Sequence, residues 1–77
     1  MRLDEYLERR GESQATFGGR VGVTQSAVAQ WIGGGSIRAE QVLKVSAATG
    51  WVVSPNELRP DLYPNVTDGI PLESRAA

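Results

Sequence analysis

The stretch Gln14-Ala-Thr-Phe-Gly-Gly-Arg-Val-Gly-Val-Thr-Gln-Ser-Ala-Val-Ala-Gln-Trp31 constrains this chain more than any other. Apolar residues at Phe17, Val21, Val23, Val28 and Trp31 are spaced as the inner faces of two short helices. Gly22 stands between them where a tight turn is needed, and small residues fall where the helices must touch. Such a pair, joined by a short turn, presents its second helix outward, the geometry that lets a helix enter the major groove of DNA.

The flanking sequence supplies further helices. Leu3, Tyr6 and Leu7 share one face of a helix over 3–10, and Gly11 stops it. Ser13 caps a second helix over about 14–21, ended by Gly22. Thr24 caps a third running to about Ile32, which leaves Thr24, Gln25 and Ser26 in its exposed first turn. Gly33-Gly34-Gly35 reads as a mobile loop. A fourth helix is expected over roughly Arg38 to Thr49, with Val42, Leu43, Val45 and Ala47 giving a broad apolar surface and Gly50 at its C′ position. Ser54-Pro55-Asn56-Glu57 is a helix start, serine capping, proline in the first turn and glutamate three residues on, so a fifth helix should span about 55–59. Trp51-Val52-Val53, with two β-branched residues, can be a connector or a short strand. The expected fold is therefore all-α with five helices over residues 1–64, and the alternative is α+β with a short C-terminal hairpin. Pro64, Gly69 and Pro71, with few large apolar groups, make residues 65–77 a disordered tail in this reading.

At 77 residues the chain has room for one small core. It contains neither cysteine nor histidine, which removes disulfides, thiolate chemistry, the usual zinc ligands and the commonest general base. No acid pair stands in a pocket-like context, so an enzyme is not expected, nor is a cofactor, a metal or a small-molecule ligand. No apolar run reaches membrane-spanning length and no signal-peptide core is visible, so the expected location is the cytoplasm, away from membranes. Net charge is −1, low for a nucleic-acid binder. The charges are unevenly placed: residues 1–12 carry −1, residues 13–50 carry +2 and residues 51–77 carry −2. The acid lies outside the helix pair.

Gln14, Gly18, Gly22, Gln25-Ser26, Val28 and Trp31 together resemble the phage Cro and Cro-like repressors of the lambda-repressor-like helix-turn-helix class. The chain is also similar to related prophage Cro-like regulators of antitoxin type. Glu57-Leu-Arg-Pro-Asp-Leu-Tyr-Pro64 resembles the ending common among the bacterial members. The likeness covers residues 2 to 64. It implies that Gln14 binds a phosphate and buttresses the recognition helix, and that Thr24, Gln25, Ser26 and Gln30 face the bases. Gln25 is the leading reader, because its amide can pair in bidentate fashion with adenine. Ser36 and Arg38 are implied to grip the backbone. The implied function is a transcriptional repressor on a palindromic double-stranded operator.

Several positions depart from that pattern. Ala29 and Gln30 occupy the outer recognition helix where relatives often carry lysine or asparagine, and no charge lies between Thr24 and Ile32. Gly19 interrupts the second helix. Modest affinity with a shallow salt dependence is expected. One short helix reads few base pairs, so a homodimer is expected, weak without DNA. Its interface is placed at Trp51, Val52, Val53, Leu62 and Tyr63. Arg20 reads as a solvated or phosphate-adjacent charge, and Trp31 as core. The acidic residues 51–77 leave a second reading, an antitoxin-like module whose C-terminal region docks a protein.

Overall fold

The computed structural model describes residues 1–75 of the chain. The described residues form an all-α fold: α1 (Leu3–Arg10), α2 (Gln14–Val21), α3 (Gln25–Ile32), α4 (Ala39–Ala48), α5 (Pro55–Leu58) and α6 (Leu72–Arg75). The first five answer the five expected, and α6 is an additional turn of helix that the proline-bounded C-terminal sequence did not signal. Of the expected tail, residues 76 and 77 lie outside the described residues.

Local chemistry sets the boundaries. Ser13, Thr24 and Ser54 each accept a hydrogen bond from the backbone N–H three residues on: Thr16 at 3.0 Å, Ala27 at 3.1 Å and Glu57 at 3.2 Å. Leu3, Tyr6 and Leu7 turn one face of α1 into a core that also holds Phe17, Val21, Val28, Ile37, Val42, Val45 and Val53. Tyr6 meets Phe17 edge to face, ring centres 6.2 Å apart. Trp31 is half-buried and packs against this cluster.

The segment after α4 resolves the strand-or-connector alternative. Gly50 is left-handed (φ 67°), and the Trp51 N–H reaches back to Ser46 O at 3.0 Å, closing α4 in a Schellman-type end. The buried Ser46 hydroxyl then donates to Val53 O at 2.6 Å, while Val53 N–H donates to the Thr49 hydroxyl at 3.0 Å. Both backbone groups of Val53 are thus satisfied by side chains of α4 and its C-cap, and the residue needs no strand neighbour. No strand occurs among the described residues.

Val53 itself is wholly buried. This corrects its placement in a dimer interface: the side chain fills the core of its own protomer. Tyr63 is half-buried against the same core, Trp51 is half-buried, and Val52 and Leu62 are 49% and 44% exposed. Trp51 also holds a left-handed backbone (φ 67°), a conformation a β-carbon disfavours.

Arg59 ties the C-terminal part to the rest. Its guanidinium donates to Ile37 O at 2.6 Å and forks onto Asp61 at 2.9 and 2.7 Å. Residues 65–70 form a turn in which the Asp68 carboxylate accepts from Asn65 N–H at 3.0 Å. Gly69 brings this turn against Leu43, Pro55 and Tyr63.

Candidate nucleic-acid interface

The α2–α3 pair depends on one close approach. A β-carbon at Gly18 would stand 2.8 Å from Val23 O and 3.3 Å from Thr24 O, both backbone atoms. Gly18 O in turn accepts the N–H groups of Gly22 and Val23, each at 2.8 Å, through the left-handed Gly22 (φ 87°). The turn therefore folds directly onto the last part of α2, and this fixes where α3 starts.

On α3, Val28 points inward and is fully buried, whereas Gln25, Ser26, Ala29 and Gln30 are exposed. Positions 25, 26, 29 and 30 form one stripe at helical spacing. Among the described residues no side-chain hydrogen bond engages Gln25, Ser26, Gln30, Ser36 or the half-buried Gln14. Their side-chain donors and acceptors are thus unspent within the fold, and those of Gln25, Ser26, Gln30 and Ser36 are exposed. Thr24 is different: its hydroxyl oxygen already caps α3, leaving its O–H to donate outward. The structure thus groups Thr24, Gln25, Ser26 and Gln30 on α3 and its cap, with Gln14 on the first turn of α2. Ser36 and Arg38 lie just past the glycine loop, where Gly35 N–H returns to Gln30 O at 2.7 Å.

The charges on this side are sparse. No acidic residue occurs from Ser13 to Ala39. Arg38 lies 3.3 Å from Glu40, but both ends are more than two-thirds exposed, so the pair is weak and the guanidinium is easily taken by a phosphate.

Arg20 is exposed, as expected, but its guanidinium is engaged within the fold. Its guanidinium forks onto Glu12 at 2.8 and 2.9 Å, donates to Ala48 O at 2.9 Å and to the Tyr6 hydroxyl at 3.3 Å, and stacks over Phe17. It joins α1, α2 and α4 as a structural clasp. The signal in the sequence is an acid eight residues upstream, too far apart for any helical pairing rule.

These ion pairs set the acid response. Hydrogen bonds from Arg20 hold the Glu12 carboxyl below the usual carboxylate range, against the opposing effect of its burial. Arg59 holds Asp61 down from 3.8 to about 2. Each folded carboxylate binds its proton less readily than in the unfolded chain, so the unfolded state takes up more protons in acid. The stabilisation is complete above the ordinary carboxylate range and is lost as pH falls through the folded values, for Asp61 from near 3.8 toward about 2. Thermal melts between pH 7 and pH 2 should show the midpoint falling below about pH 4.5, and Glu12→Gln should flatten the upper part of that fall.

The fold and this face define a small all-helical domain built around a helix-turn-helix unit. The chain belongs to the family described as bacterial toxin YdaS, whose model matches residues 5–67. No curated protein and no solved structure matches it. The family supports the likeness to Cro-like prophage proteins loosely and does not single out a Cro repressor. No described helix is long and apolar enough to cross a membrane.

Proposed function

We propose that the protein is a sequence-specific DNA-binding regulator that lays α3 in the major groove and occupies a two-fold-related operator as a homodimer. The observation that carries this reading is the exposed stripe Gln25, Ser26, Ala29 and Gln30, whose three polar members are unspent within the protein, in a segment free of acid from Ser13 to Ala39. A solvated helix face in an acidic protein has no need to exclude carboxylates, whereas a surface approaching phosphates does. Gln25 and Ser26 sit in the first turn of α3, the part of a recognition helix that reaches base edges. Repression by promoter occupancy is the regulatory outcome proposed.

Enrichment from a random duplex pool tests it, run with the native chain and with Gln25→Ala. The expected product is a palindrome with half-sites about one helical turn apart. Gln25→Ala should lose definition at one base pair per half-site, at a cost of about 1–3 kcal/mol there. No enrichment even at low salt would overturn the reading.

The family's description as a toxin favours a second one: a partner-binding module whose acidic C-terminal region docks a protein, with DNA secondary. Hydrogen exchange separates the two. Protection gained by residues 65–77 on adding a protein partner, with none gained at α3 on adding DNA, supports the second.

A further inference from the structure

We propose that Lys44, on α4, is a further contact to the DNA backbone, reaching a phosphate beside the first turn of α3; this rests on the DNA-binding reading above. Among the described side chains Lys44 is the one cation with no carboxylate within ion-pair distance. Arg2, Arg9, Arg10, Arg20, Arg38, Arg59 and the terminal amine all have one. Nor is the exposed Lys44 remote from the helix pair. Its Nζ lies 3.4 Å from where a β-carbon on Gly22 would stand, which places an unneutralised ammonium against the α2–α3 turn.

The reach is sufficient. Gly22 and Gln25 are three residues apart, so their Cα atoms are separated by at most about 11 Å. The major groove is about 12 Å wide, so a residue reading base edges has a wall of phosphates within about one such width. A four-carbon stem lets the ammonium swing from the turn toward that wall. With α3 itself carrying no charge, Lys44 is a natural source of the backbone attraction the helix lacks.

The competing role for Lys44 is within the fold. An ammonium at the end of α2 also faces the negative pole of that helix and stabilises it modestly. Salt dependence distinguishes the two, because only a phosphate contact releases counterions from DNA.

Binding of the native chain, Lys44→Gln, Lys44→Arg and Gln25→Ala should be measured from 50 to 200 mM salt. Two duplexes are needed, the enriched operator and an unrelated sequence, with thermal melts alongside. Lys44→Gln is expected to weaken binding to both duplexes alike and to make the slope of log affinity against log salt shallower by about 0.9 per protomer. Its deficit should therefore shrink about 3.5-fold per protomer across that range. Lys44→Arg should keep the native slope. Gln25→Ala should lose the operator preference with its slope unchanged. An unchanged slope in Lys44→Gln, with or without a lowered melting temperature, overturns the inference while leaving DNA binding intact. A native chain that binds neither duplex removes the DNA-binding reading and this inference with it.

Discussion

Val53→Asp should leave the chain unfolded, not folded and monomeric. Val53 has no exposed surface and sits among Val42, Val45 and the other core residues, with its backbone held on both sides by Ser46 and Thr49. A carboxylate there would sit within a hydrophobic cluster, and an unpaired buried charge costs several kcal/mol. A domain of this size has only about 4–12 kcal/mol of stability in total. Circular dichroism should show loss of cooperative melting and of most helical signal at 25 °C. Val52→Asp is the informative neighbour, since its side chain is 49% exposed and the change should move stability by no more than about 0.5 kcal/mol. A folded Val53→Asp with a cooperative melt would mean that the segment after α4 is not seated as described. If self-association uses this end of the molecule, Val52→Asp and Leu62→Asp should weaken it while the melt stays cooperative.

The contrast between these two valines marks what was legible in the sequence. Helix positions were readable because their signals are local: apolar spacing, and a serine or threonine at each of three helix starts. The exposed stripe on α3 was readable for the same reason, since burial of Val28 dictates which neighbours face outward. Trp51-Val52-Val53 was not. Its composition suits a strand, and what decides otherwise is Ser46 in α4 and Thr49 at its C-cap, two buried polar residues that hydrogen-bond the backbone of Val53. Nothing in a helical pattern announces that a serine will cap another segment. The clasp made by Arg20 is illegible for a related reason: its partners Glu12, Tyr6 and Ala48 come from three places that only the folded chain brings together. Lys44 was visible only as one charge in a helix, and it gained meaning from two tertiary facts, the ion pairing of the other described cations and the nearness of the turn at Gly22.

Adjacent glycines in α2 should respond oppositely to the same substitution, a direct measurement of how closely the helix pair is packed. Gly19 is exposed and a β-carbon there meets nothing within 4 Å, so Gly19→Ala should stabilise the protein by about 0.5–1 kcal/mol through helix propensity alone. Gly18→Ala gains the same propensity but drives a methyl to 2.8 Å from Val23 O, a backbone atom fixed by its place in the turn. Relief requires α3 to move away from α2, and overpacking of this kind costs about 1–3 kcal/mol. Gly18→Val adds two more carbons at the same place and loses most of the propensity gain, so its penalty should be larger. For a domain this small, each kcal/mol shifts the melting midpoint by about 4–8 °C. Gly19→Ala should therefore melt a few degrees above the native chain, Gly18→Ala below it, and Gly18→Val lowest. The Gly18 variants carry a second consequence. Because the turn positions Thr24 and the first turn of α3, the proposed DNA binding should weaken by more than lost stability explains when measured well below the melting range. Equal melting points for Gly18→Ala and Gly19→Ala would show that the two helices do not approach as closely as the 2.8 Å contact requires.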